Sequence, residues 1–423
     1  MREDIKNRIE AVRNGQVPEG YAETEAGCIP TGWSSAPLSE ISDVLSEQAG
    51  DREFETLSIS AGIGFVNQAE KFGKELSGKQ YAKYTVLRRG DFAYNKGNSK
   101  RYPQGCTYML RERDEAAVPN VFECFRITQG HPEYYEQLFI NGFMNRQLTR
   151  KINHGVRDDG LLNLTDEDFY STVLPVPLVA EQQKIAEILA ACDRAIELKQ
   201  QLLEEKRRQK KWLMQKLLDP NAGVNQPECS GVKWITRCIK ELGTVITGST
   251  PDKSCDEFWG GDFPWITSQD FTGKYIGIAE VHVTDAGKKK CRVLPAGAVL
   301  VTCIASIGLN AIAKVECATN QQINAVICNG ICSEEMLYYI IEYNRGALER
   351  IAGKTAVPII SKDQFEKIKV TIPESRSEQD KITKVLSVAD SEIQLLQNEL
   401  EIWQQKKKAL MQLLLTGLVR VNA

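Results

Sequence analysis

The feature that most constrains this chain is a repeat. Residues 181–218 (EQQKIAEILAACDRAIELKQQLLEEKRRQKKWLMQKLL) lie over 378–415 (EQDKITKVLSVADSEIQLLQNELEIWQQKKKALMQLLL) without a gap, at a constant shift of 197 residues. They share 18 of 38 positions, more than helix composition produces by chance, and the matches are anchored. Both copies begin EQ-x-KI, place Asp193 or Asp390 nine residues after Lys184 or Lys381, and end in KK-x-LMQ-x-LL. A repeat of this kind fixes the architecture before any local reading.

Within the second copy the apolar residues run Ile382, Leu386, Ala389, Ile393, Leu396, Leu400, Trp403, Leu410 and Leu414, with Lys407 interrupting. Steps of four and three residues are heptad spacing, which predicts a coiled coil. The first copy follows the same track through Ile185, Leu189, Cys192, Ile196, Leu203, Leu213 and Leu217, and sets Lys199, Lys206 and Lys210 on seam positions. A helix of this length spans about 57 Å, too long to fold back on one small domain, so each copy is expected to pack on the other. Pro220, Pro227, Gly223 and Gly231 mark the stop and linker after the first helix.

The match extends outward from the helices. Proline-marked segments, VLPVPLVAEQ and VTIPESRSEQ, precede them, and LTDEDF (164–169) corresponds to ISKDQF (360–365). Trp33 and Trp234 are each followed by similar apolar spacing: Leu38, Ile41 and Val44 against Ile239, Leu242 and Val245. Between these landmarks the two globular parts share almost no side chains. Both combine β-branched runs with glycine turns (84–95 and 296–315) and then helical stretches (133–150 and 333–352), so a common fold is expected beneath different surfaces.

Two equivalent units related by a twofold axis give antiparallel helices. The sequence therefore predicts an α+β protein: two mixed α/β domains at opposite ends of an antiparallel two-helix coiled coil, with a pseudo-twofold internal repeat. The boundaries read as an N-terminal tail or short helix (1–26), a first globular domain (27–173), a first long helix (174–222), a linker (223–229), a second globular domain (230–368) and a second long helix (369–420). Residues 1–26 match neither repeat.

Composition narrows the function classes. The chain is 42% hydrophobic and 26% charged, as ordinary globular proteins are, and no stretch approaches the roughly 20 apolar residues of a membrane span. Its charged N-terminus, MREDIKNRIEAVRNG, lacks the apolar core of a secretion signal, and a cytoplasmic location is expected. The 12 cysteines include no CxxC pair, and His131, His154 and His282 are scattered, so no metal site is read; buried thiols acting as small hydrophobes account for them. A net charge of −3 argues against a uniformly basic DNA-coating protein. Residues 71–113 nevertheless carry eleven Lys and Arg against three Asp and Glu, so any nucleic-acid face should be local.

Catalytic signatures are missing. There is no GxxxxGK[ST] loop, Gly62 and Gly64 lack the third glycine of a dinucleotide turn, and neither an NPPY-like strand end nor a nuclease carboxylate–lysine cluster is present. The helix runs KRRQKK (206–211) and KKK (406–408) read as solvated faces. Two segments stand above this background. GDFAYNKGNSKRYPQG (90–105) places Lys96, Lys100 and Arg101 beside Tyr94, Asn95, Asn98, Ser99 and Tyr102 in a glycine-rich loop. Such a loop offers cations to phosphates and amides or hydroxyls to base edges, although an ordinary polar hairpin tip has the same composition. GSTPDKSCDEFWGGDFPWITSQDF (248–271) sets Thr267, Ser268 and Gln269 after Trp265; a Trp-anchored strand and turn explains it equally.

Taken together, the chain resembles the specificity subunit of type I restriction-modification systems over nearly its whole length. The resemblance rests on the EQ-x-KI helix starts at 177–185 and 373–382, IPTGW at 29–33 and GDFAYNK at 90–96. It rests also on G-x-TP…FWGGDFPWITSQD at 248–270 and ATNQQINAV at 318–326. It implies that the globular parts are target-recognition domains, each reading one half of a split site on double-stranded DNA. Their contacts are then expected from the 94–102 residues above, from Thr250, Trp265, Thr267, Ser268 and Gln269, and from Asn320 and Gln321. It implies further that the long helices act as spacer and docking surface for two methyltransferase subunits, which bring S-adenosylmethionine, and that restriction motor-nuclease subunits join through them. No cofactor is expected on this chain, and no membrane partner. A different class stays open on the residues alone: a coiled-coil scaffold whose globular parts bind protein.

Overall fold

The computed structural model describes residues 3–73, 78–97, 102–152, 161–221, 232–353 and 357–422. The expected linker 223–229 lies outside them. The chain forms two compact units, residues 1–199 with 399–423, and residues 200–398. Each unit holds the first half of one long helix and the second half of the other, the helices being Val179–Leu218 and Arg376–Leu415.

Within each unit the two helix segments run antiparallel. In the first, Lys199 pairs with Glu399 and Asp193 with Lys407, both at 2.5 Å. In the second, Lys206 pairs with Glu392 and Lys210 with Asp390, both at 2.7 Å. Asp193–Lys407 and Asp390–Lys210 are the same pair under the 197-residue repeat. The lysines that interrupt the apolar seam are therefore cross-helix ion partners, their stems covering the seam while their ammonium groups reach a carboxylate on the facing helix. All the seam positions read from sequence are buried or half-buried, whereas Leu395 and Ile402, off the seam, are exposed.

The EQ signature also has a physical cause. Gln182 is fully buried; its amide oxygen accepts from the His131 N–H (2.8 Å) and its amide nitrogen donates to the Pro177 carbonyl (2.9 Å). Gln379, equally buried, accepts from the Ser333 N–H (3.0 Å) and donates to the carbonyls of Ile331 and Pro373, both at 2.9 Å. One residue type at one place in each helix thus fastens the helix start to the domain before it. Glu181 differs from its counterpart Glu378. It is buried, accepts from Trp33 Nε1 (3.0 Å) and takes both arms of Arg420 (2.7 and 2.8 Å), while Glu378 pairs with Lys381 beside it.

The globular parts share a framework, as their sequence pattern predicted. In the first unit a four-stranded antiparallel sheet runs Ser42–Val44, Glu123–Ile127, Phe92–Asn95 and Cys106–Met109. In the second, the order Gly243–Thr247, Ile323–Cys328, Val299–Thr302 and Asn310–Ala313 repeats it, and Tyr275–Ile276 adds a parallel fifth strand. Each unit adds a separate antiparallel strand pair, Ser34–Pro37 with Val173–Val176 and Trp234–Cys238 with Lys369–Pro373. Helices follow in matching places: Pro132–Ile140 and Asn145–Lys151, against Glu334–Tyr343 and Arg345–Ala352. The aligned LTDEDF and ISKDQF segments are helix starts, where Thr165 and Ser361 accept from the N–H three residues on. Even an irregular contact repeats: the N–H of Leu162 donates to the Lys96 carbonyl and that of Ile360 to Cys303, both at 2.8 Å.

What differs is inserted between the first and third strands of that order. In the first unit the insertion holds the hairpin Leu57–Ser60/Gly64–Asn67 and the strand Thr85–Arg88, which pairs with Glu115–Val118. In the second it holds the long strand Trp259–Ile266, paired with Val281–Val283 and, in parallel, with Ala318–Thr319. Each core joins sheet, helices and both long helices. The first packs Phe92 on Phe125 (5.3 Å between centroids) with Ile185, Leu189, Leu414 and Leu415; the second packs Val299, Val326 and Tyr339 with Ile382, Leu386, Met214 and Leu218. Each such aliphatic side chain contributes roughly 1.5–3 kcal/mol when fully buried.

The N-terminal segment forms helix Glu3–Arg13 and a hairpin, Tyr21–Thr24/Gly27–Pro30, that crosses the boundary expected at residue 27. Arg8 donates to the Leu418 carbonyl and the Tyr21 hydroxyl to that of Gly417, so this segment satisfies backbone groups at the end of the second long helix.

Candidate nucleic-acid interface

The first polar segment does not open out as its composition suggests. Tyr94 lies in the core, its ring stacked on Phe169 (4.4 Å) and its hydroxyl donating to the Gln104 carbonyl (2.8 Å). A ring with both faces packed has none to offer a base; the cause is its place on a central strand. Asn95 folds its side chain back to accept from the Gly97 N–H (2.8 Å). Lys96 is enclosed between Glu123 (2.6 Å) and Asp166 (2.8 Å). Burial works against its ammonium group, but these carboxylates outweigh it and hold the pKa above the ordinary lysine value. Burial lifts the Glu123 carboxyl above the usual range despite Lys96. Lys96 is thus a structural cation. Tyr102 is half-buried beside the hairpin tip at Gly62, whose N–H donates to the Tyr108 hydroxyl (2.7 Å). Asn98, Ser99, Lys100 and Arg101 lie outside the described residues.

Four arginines of the 71–113 window are paired by carboxylates from outside it. Arg88 pairs with Glu47 and Glu115, Arg89 with Asp114, Arg111 with Glu136, and Arg113 with Glu55. Hydrogen bonds from Arg88 and Arg52 hold the Glu47 carboxyl below its ordinary pKa, and Arg113 does the same for Glu55. Counting charges within that window overstated the field because the paired carboxylates lie outside it, on Glu47, Glu55, Asp114, Glu115 and Glu136.

The second segment behaves differently, since three stretches far apart in sequence converge on one place. The Gly248 N–H donates to the Ile323 carbonyl (3.0 Å), and the Ser249 N–H to that of Thr319 (2.8 Å). Trp265 Nε1 donates to the Ser249 carbonyl (3.1 Å), and the Arg292 N–H to the Ser249 hydroxyl (2.9 Å). Gly248 is required here, because a Cβ would sit 2.1 Å from the Asn320 carbonyl oxygen. Trp265 is buried, edge-on to Trp259, so it anchors the turn and presents no face outward. The Thr267 N–H and hydroxyl both donate to Asp270, capping the short turn Ser268–Asp270; Ser268 is half-buried and Gln269 exposed. Asn320 is spent locally, accepting from the Gln322 N–H (3.0 Å). Thr250 donates from its hydroxyl to the exposed Gln321 amide oxygen (2.5 Å).

Sequence reasoning passed over Arg292. Its Nη1 donates to the Thr247 carbonyl (2.8 Å), the side chain is exposed, and no carboxylate among the described residues pairs with it. The signal was the run KKKCR at 288–292, in which Lys289 and Lys290 are also exposed while Lys288 pairs with Glu316. Among the described residues no group of three or more His, Cys, Asp or Glu is placed to hold a metal ion, and no helix is long and apolar enough to cross a membrane.

Comparison with known proteins meets this geometry. The chain is 35% identical over 176 residues to the type I restriction enzyme MjaIX specificity subunit of Methanocaldococcus jannaschii, a match covering 40% of each chain. It is 23% identical to the putative MjaX specificity subunit of the same organism, over 96% of this chain and 97% of that one. Among solved structures, a chain from a study of complex assembly and conformational transition of the type I R-M system has a TM-score of 0.58 at 16% identity, covering 92% of this chain and 99% of that one. The type I restriction-modification S subunit from M. genitalium gives 0.57 at 15% identity, covering 90% and 96%. At those identities the structural matches establish the fold. The family model for the type I restriction modification DNA specificity domain matches residues 129–206 and 231–402, more than half of the sequence, and the chain belongs to that family.

Proposed function

We propose that this chain is the non-catalytic subunit that selects the DNA sequence for a type I restriction-modification assembly. Each globular domain reads one half of an asymmetric bipartite site on double-stranded DNA. The repeated helices dock two adenine methyltransferase subunits, and restriction subunits join through these; S-adenosylmethionine belongs to the methyltransferase. One observation carries the reading. The units agree in their helices, their EQ fastening and their framework, and differ in the insertions at 45–91 and 248–298. Like helices suit like partners, and unlike insertions suit unlike half-sites.

The test is genome-wide mapping of methylated adenines in a strain carrying only this chain and its methyltransferase. One asymmetric, two-part motif is expected, and exchanging residues 248–298 for a relative's insertion should change one half alone. A motif untouched by the exchange, or altered in both halves, refutes the reading. The carboxylate-paired cations of the first domain keep a protein-binding scaffold as the second reading. DNA affinity that is flat with salt and indifferent to sequence would favour it.

A further inference from the structure

We propose that Arg292 grips a DNA backbone phosphate for the second domain, and that Gln321, held by Thr250, reads the adjoining base edge. This rests on the DNA-recognition function above and assigns the contacts within it.

The argument starts from what each group has left to give. A guanidinium carries five N–H donors. In Arg292 one is used on the Thr247 carbonyl, and no carboxylate among the described residues answers its charge. Arg88, Arg89, Arg111, Arg113 and Arg126 are each neutralised by an acidic partner. An exposed guanidinium with spare donors and no counter-charge suits a phosphate, whose oxygens accept two of its parallel N–H groups at once. Arg292 is also positioned at both ends. Its backbone N–H is fixed to the Ser249 hydroxyl and its side chain to Thr247, so little conformational freedom is left to lose on binding. Exposed Lys289 and Lys290, beside it in the chain, add to the local positive field.

Gln321 is tied to the same hub, since Thr250 follows Ser249 directly and donates to its amide oxygen. That bond occupies one lone pair of the amide oxygen. It leaves the two N–H donors and the oxygen's second lone pair, a donor–acceptor fork complementary to the N7 and N6 edge of adenine in the major groove. The hub itself is made by Gly248, Ser249 and Trp265, which hold the three stretches together without facing the ligand.

The test uses the full chain with its methyltransferase, titrated at several salt concentrations onto the duplex that the wild type methylates and onto random duplex, with methylation mapping in parallel. Arg292→Ala should weaken both duplexes by a similar factor, lower the salt slope by about one, and leave the methylated sequence unchanged. Arg292→Gln, neutral but able to bond the Thr247 carbonyl, should behave like alanine, and Arg292→Lys should restore the slope. Gln321→Ala should relax one base position in one half-site by about 10- to 100-fold and leave the other half alone. Three results overturn the assignment: wild-type affinity and slope in Arg292→Ala, an Arg292→Lys slope no better than alanine's, or unchanged half-sites in Gln321→Ala. A wild-type complex with no salt-steep preference for its own methylated sequence overturns the DNA-recognition function first, and this assignment with it.

Discussion

Replacing Gln379 with alanine tests whether the EQ signature is a structural fastening. The side chain is fully buried and serves three backbone groups: the Ser333 N–H and the carbonyls of Ile331 and Pro373. Alanine leaves all three without that partner. A buried group so orphaned costs about 1–3 kcal/mol. The two carbonyls fall at the low end, because a carbonyl retains a second lone pair and the vacated space admits water. The expected loss is about 3–5 kcal/mol from these terms together. Gln182→Ala orphans two backbone groups, the His131 N–H and the Pro177 carbonyl, so about 2–4 kcal/mol is expected there. Hydrogen exchange along a urea series reads each unit through its own peptides and does not assume a single transition. Gln379→Ala should lower protection in residues 200–398 first. Gln379→Glu should be no better at neutral pH, since its carboxylate faces two carbonyl oxygens. Burial would raise that carboxyl's pKa above the unfolded value, so stability should recover as pH falls through the raised value. A loss below about 1 kcal/mol in Gln379→Ala, against the cost expected for orphaned groups, would refute the reasoning.

Three further outcomes are expected. Double-mutant cycles should give about 1–3 kcal/mol of coupling for Asp390–Lys210, whose side chains are 22% and 12% exposed, but only about 0.5–1 kcal/mol for Asp193–Lys407, where the aspartate is 45% exposed and screened by water. Equal couplings, read from urea midpoints, would contradict this. Gly248→Ala should destabilise the second unit by about 3 kcal/mol, because its methyl group would strike the Asn320 carbonyl; an unchanged melting temperature would count against the convergence described above. The thiols of Cys106 and Cys303, both pushed up by burial to about 11, should react with a thiol reagent at pH 8 only after denaturation. With folded values above unfolded ones, their contribution is complete below the ordinary thiol pKa and fades as pH climbs towards 11; rapid native-state labelling of either would show the burial to be wrong.

The repeat made the helices legible. Heptad spacing depends on which residues face a partner at each turn, a local property, so seam positions from Ile382 to Leu414 could be read one by one. Matching order in the globular parts was also legible, because strand and helix periodicities survive when side chains change. The roles of the polar residues were not. Lys96 and Lys210 look alike as exposed cations in the sequence, and each is enclosed by carboxylates that arrive from other elements.

The same limit explains the interface. The sequence alone determined that the chain is two like units with unlike surfaces, and which residues form the helix seam, because repetition and periodicity are properties of residue order. Only the tertiary structure decided that Tyr94 and Trp265 are core, that Arg88, Arg89, Arg111 and Arg113 are answered by carboxylates, and that Gly248, Arg292 and Gln321 share one hub. The reason is distance: hydrogen bonds and ion pairs act over a few ångströms, and the chain brings residues that close from positions about 25 to 75 apart or more.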